Sequence, residues 1–419
     1  MRPKNAGNDV LPQGRYRTGD QTLVREINLS VILQYLRENA PISRAALADI
    51  TGLNKTTVSS LVGELIDRQF VREVGLESAG LGRPAMLLTL NPQAGAIISG
   101  EVGVDFVSAV CTNFGPEILW RGRESISPDM GQPAIVERIV ALLRQTVDIG
   151  TSSCGALLGL AIGMPGLVDQ ATGTLLFAPG LGWRDMAVRS ILEAAFDAPV
   201  FVDNEANLAA LGEHYFGAAQ GYEEVLYISA GAGLGGGIVH NGQICRGVTG
   251  VGGELGHMTM DPEGELCNCG NRGCWETQVN QAALFRYIQR AMDGGQSSLL
   301  SEMTASDLDH ITVPLVVDAA NTGDAVALEA LDRIGHYLGI GIASLVNALN
   351  PELVVFGGAL SPAWEFLQPG VNEELEGRAL SWNREAMRVF LARHGLDACI
   401  MGGVALVLYN ILSKPRLVP

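Results

Sequence analysis

One histidine and three cysteines lie close together, His257, Cys267, Cys269 and Cys274, and acids flank them: Glu254 three residues before the histidine, Glu276 two residues after the last cysteine. Neutral imidazole and thiolate are the ligands Zn²⁺ prefers, and a His/Cys₃ set closes a tetrahedral site with no position left for water. The chemistry indicated is a structural zinc. Its consequence is positional, because ordering this loop would orient both carboxylates. Three of the seven cysteines fall within eight residues of Gly-rich sequence, and the alternative for them is a set of unligated buried thiols. Cys111, Cys154, Cys245 and Cys399 are scattered through apolar segments and are expected to be reduced core residues rather than a disulfide framework.

Such a loop needs a large scaffold, and 419 residues, 47% of them hydrophobic, suffice for two or three domains with their own cores. No early stretch joins a basic start to an apolar core, so no signal peptide is expected. The longest apolar run, 156–168, is interrupted by Gly163, Pro165 and Gly166 and is too short to span a bilayer. A cytoplasmic protein without a membrane partner is the expectation.

The net charge of −17 argues against nucleic acid until it is divided along the chain. Residues 1–90 carry 11 Lys and Arg against 9 Asp and Glu, leaving 17 against 36 for the rest, so the ends differ as +2 and −19. A near-neutral to basic head on an acidic body confines DNA contact to the head.

After a polar tail, 1–22, residues 23–90 have the pattern of a winged helix-turn-helix. Residues 23–39 place Ile27, Val31 and Tyr35 on one helical stripe, and Pro41 ends that helix. Ser43 can cap a short helix over 44–50 that Gly52 stops, and Asn54 can cap a third. In the third, Val58, Leu61, Val62 and Leu65 fall at i, i+3, i+4 and i+7, which leaves Lys55, Thr56, Thr57, Ser59 and Ser60 exposed near its N-terminal end. A recognition helix meets the major groove in this way, with Ser43, Arg44 and Asn54 beside it. Two extended runs, 70–74 and 85–90, enclose a Gly82-Arg83-Pro84 tip, where Arg83 could enter an A·T-rich minor groove. A small helical dimerisation module is the alternative for this segment.

From Gly95 onward apolar strands at 96–102, 106–112, 157–162, 199–202, 225–229 and 353–356 alternate with helical patterns, which implies an α/β domain. Gly163-Met-Pro165-Gly166, Asp203-Asn204-Glu205-Ala-Asn207, Gly231-Ala-Gly-Leu-Gly-Gly-Gly237, the His/Cys loop and Gly357-Gly358 together resemble the ROK family of repressors and sugar kinases over residues 23–410. The resemblance implies a two-lobed, actin-like sugar-kinase fold, with lobes at 91–220 and 221–399 and a helix at 400–419 returning to the first. It places sugar contacts on Asn204, Glu205, Glu254, His257 and Glu276, with Asp203 a support. His257 would serve twice, one ring nitrogen on zinc and the other toward a hydroxyl or carboxylate.

Three departures bear on activity. Where the family's kinases carry an Asp and a Gly-Gly-Thr-Lys type turn, this chain has Glu101-Val-Gly103-Val-Asp105-Phe106, and Asp105 repels a triphosphate. Glu205 stands in place of the catalytic Asp, and Ala232 in place of a Thr of the phosphate loop. With the winged head, these imply no enzyme but a repressor released from an inverted-repeat operator by a sugar, most closely a xylose-like pentose, and acting as a homodimer or homotetramer. A sugar kinase, and a repressor answering to a protein partner, are the other readings.

Overall fold

The computed structural model describes residues 21–77, 85–304, 307 and 310–414. The chain divides into two compact units, Met1–Asn91 with Asn410–Pro419, and Pro92–Tyr409.

In the first unit, α1 (Gln21–Asn39) buries Leu29, Ile32, Leu33 and Leu36. This corrects the stripe expected from the sequence: Ile27 is 53% exposed, and Val31 and Tyr35 are half-buried. Two apolar stripes run along this helix, and the one richer in leucine removes more hydrocarbon from water. β1 (Ile42–Ser43) leads into α2 (Arg44–Thr51), whose start is capped by the Ser43 hydroxyl accepting from the Ala46 N–H at 3.3 Å. Gly52, at φ 69°, ends it in the left-handed region that favours glycine. α3 (Lys55–Asp67) begins with the Asn54 amide oxygen accepting from the Thr57 N–H at 2.8 Å, and it buries Val58, Leu61, Val62 and Leu65 as the periodicity predicts. β2 (Val71–Glu77) and β3 (Ala85–Leu90) form the antiparallel hairpin, and β1 pairs onto β3. The tip residues Gly82, Arg83 and Pro84 lie outside the described residues.

The second unit opens with β4 (Ala96–Val102), β5 (Phe106–Thr112) and β6 (Ile118–Ser125), then α4 (Gln132–Cys154) and β7 (Leu157–Met164). A small sheet of β8 (Leu167–Asp169), β9 (Thr174–Ala178) and β10 (Trp183–Met186) precedes α5 (Val188–Glu193), β11 (Val200–Asn204) and α6 (Glu205–Phe216). The chain then repeats the plan. β12 (Val225–Ala230), β13 (Leu234–His240) and β14 (Gln243–Ile244) are followed by the His/Cys loop and five helices, α7 (Glu276–Val279), α8 (Gln281–Asp293), α9 (Leu300–Met303), α10 (Val313–Asn321) and α11 (Ala325–Leu349). β15 (Leu353–Gly357), α12 (Trp364–Arg378), α13 (Ser381–Ala386), β16 (Arg388–Leu391) and α14 (Ala398–Ser413) complete it, the last four residues of α14 being counted with the first unit.

Two five-stranded sheets result, ordered β11-β7-β4-β5-β6 and β14-β13-β12-β15-β16. In each, the first three strands form an antiparallel meander and the next two add in parallel beside the first. The glycine run 231–237, which resembles the family's phosphate loop and which tight turns and close packing would equally call for, spans the β12–β13 turn and the start of β13, where it meets α6. A Cβ on Gly237 would stand 2.5 Å from the Ala210 Cβ and 2.8 Å from the Ala206 carbonyl oxygen, and one on Gly235 2.8 Å from the Ala206 Cβ. Only residues without side chains let helix and strand approach so closely.

Among the described residues one helical stretch, Gly395–Ser413, is long and apolar enough to cross a membrane, and 72% of its apolar window is buried within the protein. Its glycines explain why: Gly402 lies against the Leu208 carbonyl and Gly403 against Ser99 and Ala161. Cys111, Cys154 and Cys399 are buried free thiols, as expected, whereas Cys245 is exposed because it follows the short outer strand β14.

Candidate functional site

A cleft of about 620 Å³ receives residues from both five-stranded sheets. Its lining includes Asn204 and Glu205 from the β11–α6 junction, Glu254 and His257 from the loop after β14, and Glu276 from the first turn of α7. All five residues singled out for sugar contact therefore face one space, although 72 positions separate the first from the last.

Asn204 is the most engaged of them. Its amide oxygen caps α6, accepting from the N–H groups of Ala206 (2.8 Å) and Asn207 (3.1 Å), while its NH₂ donates to the Gly166 carbonyl and to Glu205 Oε2, both at 3.0 Å. Its direct role in this geometry is to hold Glu205. Asp203 is a buried support, accepting from the Asn204 N–H at 2.9 Å and paired with the Arg246 guanidinium. Burial pushes the Glu205 carboxyl up to about 8, with the charges of Glu254 and Glu101 adding to the effect. Glu101 is raised to about 7, again by burial, partly offset by Arg123. Glu254 is shifted the same way by burial, against the pull of His257. Removal from water disfavours the charged form of each group.

The second wall is the His/Cys loop. His257, Cys267, Cys269 and Cys274 bring their ligand atoms within 4.8 Å of one another. Cys269 Sγ lies 3.7 Å from Cys274 Sγ, and Cys267 Sγ 3.6 Å from His257 Nδ1. The other ring nitrogen, Nε2, points to Glu254 at 3.9 Å, while Glu276 Oε1 accepts from the Cys267 thiol at 2.8 Å. One histidine thus faces the sulfur cluster with Nδ1 and a cleft carboxylate with Nε2. The arrangement is able to hold a metal ion and to fix both acids beside it.

Local sequence makes this loop rigid. A Cβ on Gly273, at φ 63°, would fall 1.5 Å from the Asp261 carbonyl oxygen, so only glycine permits the turn. Trp275, fully buried, donates its indole N–H to the Tyr337 carbonyl of α11 at 2.8 Å and packs where Gly341 lacks a side chain. The sequence pattern did not reveal this anchor, and its signal was the aromatic residue set directly between Cys274 and Glu276.

In the first unit, Lys55, Thr56, Ser59 and Ser60 are exposed at the start of α3 and Thr57 is half-buried beside them. Ser43 is only 6% exposed and, like Asn54, commits its side-chain oxygen to a helix cap. Arg44 is held by Glu73 at 2.8 Å. Arg83 lies outside the described residues.

The fold and cleft define a sugar-kinase scaffold on a chain that also carries a winged helix. The chain belongs to the ROK family, whose model matches residues 98–410, and a winged helix-turn-helix DNA-binding model matches residues 27–72. It is 33% identical to the xylose repressor of Bacillus subtilis (strain 168), over 94% of this chain and 98% of that protein. A glucokinase of Halalkalibacterium halodurans is 41% identical over 73% of this chain and 93% of its own. The crystal structure of a ROK family transcriptional regulator, a homologue of the E. coli MLC protein, superposes with a TM-score of 0.82 at 28% identity, covering 94% of this chain and 98% of that one.

Proposed function

We propose that this protein is a sugar-responsive transcriptional repressor without kinase activity. The observation that carries the reading is the union, on one chain, of a helix α3 with an exposed Lys and hydroxyl-rich N-terminal turn and a cleft where all five expected sugar contacts meet. The repressor relative supports it by matching nearly the whole chain, whereas the glucokinase relative leaves more than a quarter unmatched. Lys55, Thr56, Thr57, Ser59 and Ser60 would meet base edges and phosphates of the major groove, with Arg83 at the wing. Two such heads in a homodimer, or four in a tetramer, would bind an inverted-repeat operator in the cytoplasm. Sugar closing lobes 91–220 and 221–399 weakens DNA binding by its differential affinity for the two states, about 1–3 kcal/mol. A xylose-like pentose is the proposed effector.

We assign the metal as zinc. Ligand bonds of about 2.3 Å to sulfur and 2.0–2.1 Å to nitrogen give tetrahedral edges of about 3.8 Å between sulfurs and 3.5 Å from sulfur to nitrogen, near the 3.7 and 3.6 Å found. Zinc would supply no reaction here, only rigidity for His257, Glu254 and Glu276.

The 41% identity to a glucokinase favours a second reading, phosphoryl transfer. Against it, the β4–β5 turn presents Asp105 and Phe106 to the cleft, and Glu205 is held by Asn204. Binding to labelled DNA from upstream of its own gene, at fixed salt and with or without D-xylose, tests the proposal. Release by sugar is expected, and Arg83→Ala should weaken DNA binding at least several-fold while sparing sugar binding. Absence of any DNA binding, together with xylose-dependent ATP hydrolysis, would sink it.

A further inference from the structure

Glu101 is the penultimate residue of β4, and the strand register sets it beside Gly163 of β7, which in turn sits beside Asp203 of β11. Two acids thus flank one glycine across three neighbouring strand ends. Their circumstances differ. Asp203 is saturated by Arg246 and the Asn204 N–H. Glu101 lines the cleft, and its Oε2 is buried with no hydrogen-bond partner. The cation facing it, Arg123, is stacked over the Phe106 ring, 3.6 Å from guanidinium carbon to ring centre.

A buried carboxylate oxygen without a donor is costly, and where it lines an open cleft a ligand's hydroxyl is the donor that can complete it. We infer that Glu101 is a further ligand-contacting residue, taking a hydroxyl of the bound sugar on the side opposite Glu254 and Glu276. The inference rests on the sugar-binding reading above and extends it. With Glu101 in place, the first sheet and the second each contribute carboxyl groups to one ligand, so binding draws the two walls together. The same lining defines the ligand class. Glu101, Glu205, Glu254 and Glu276 offer a sugar's hydroxyls hydrogen-bond partners whether protonated or ionised, and with Arg123 stacked on Phe106 they leave a phosphate dianion without a matching set of cations, so an unphosphorylated sugar fits the lining.

The test is calorimetric titration of the metal-loaded full-length protein with D-xylose, with its monodeoxy analogues and with xylose 5-phosphate. Glu101→Gln should weaken D-xylose binding about tenfold or more while the protein stays folded. The discriminating readout is pairing. One deoxy analogue should bind the wild type more weakly yet lose nothing further in Glu101→Gln, because the missing hydroxyl and the altered carboxyl are the two halves of one contact. D-xylose affinity within twofold of wild type in Glu101→Gln, or an equal loss for every deoxy analogue, would overturn the assignment. Tight binding of xylose 5-phosphate would overturn the ligand class. If the wild type binds no pentose, hexose or amino sugar, the functional proposal itself fails and takes this inference with it.

Discussion

The turns β4–β5 and β12–β13 hold equivalent places in two sheets built on one strand plan, and both reach the cleft. They have been filled differently. In the first, the Phe106 ring covers Gly103, Arg123 stacks on that ring, and Glu101 stands half-buried near the strand end with one carboxylate oxygen enclosed. In the second, Gly231, Ala232 and Gly233 leave the turn almost bare, and the glycines beyond it are set against α6 by backbone contact. One turn is walled with side chains, while the other is a nearly bare backbone frame, and on its side of the cleft the His/Cys loop places the acids. The difference teaches that one strand plan can be kept on both sides of a cleft while the turns that reach it are filled by unlike means.

Stripping the proposed zinc should break the second side outright. Prolonged chelation, or Cys274→Ser, is expected to cost several kcal/mol of stability and to abolish sugar binding, since the ligands and both neighbouring acids lose their common anchor. Calorimetric melting with zinc quantitation checks it, and an unchanged melt in fully metal-free protein would refute the structural role.

A pair of alanines compares the two sides directly. Gly237→Ala sets a methyl against the Ala206 carbonyl and the Ala210 Cβ, where nothing flexible can yield, and should cost about 1–3 kcal/mol. Gly103→Ala meets the Phe106 ring at 2.2 Å, but a ring can turn aside, so less than about 1.5 kcal/mol is expected. Urea denaturation of both variants decides the matter; equal costs would erase the contrast between backbone frame and side-chain wall.

The smallest effect is one of pH. Burial raises Glu101 to about 7 and Glu205 to about 8, so the folded chain keeps protons that the unfolded chain releases near 4.5. Their contribution is fully present below the unfolded value and is lost as pH rises through 7 and 8. Glu101→Gln should flatten this decline, lowering the melting temperature less than in wild type between pH 5.5 and 8.5. Identical slopes would place the titration elsewhere.

Much of this was legible in the sequence because it depended on local rules. The caps at Ser43 and Asn54, the buried face of α3 and the strands at 96–102 and 106–112 follow from periodicity and capping chemistry. The gathering of Asn204, Glu205, Glu254, His257 and Glu276 was legible only through likeness to a family, since they span 72 positions and come from both sides of the cleft. Other features were hidden. The burial of Leu29, Ile32, Leu33 and Leu36 over Ile27 is a competition between two plausible faces that only tertiary packing resolves. The glycine run of β13 resembles a phosphate loop because a glycine that admits a helix and a glycine that admits a phosphate are the same residue. Glu101 was legible as a departure from a kinase turn, but its unpartnered oxygen is a property of three strands at once.

Trp275 gives the loop an optical signature. Of the five tryptophans in the chain this one is wholly enclosed, hydrogen-bonded to α11 and flanked by Cys274 and Glu276. Its emission belongs at the blue end of the indole range while the loop is closed and moves to the red when water reaches it. The protein therefore carries its own fluorophore at the junction between the His/Cys loop and the cleft.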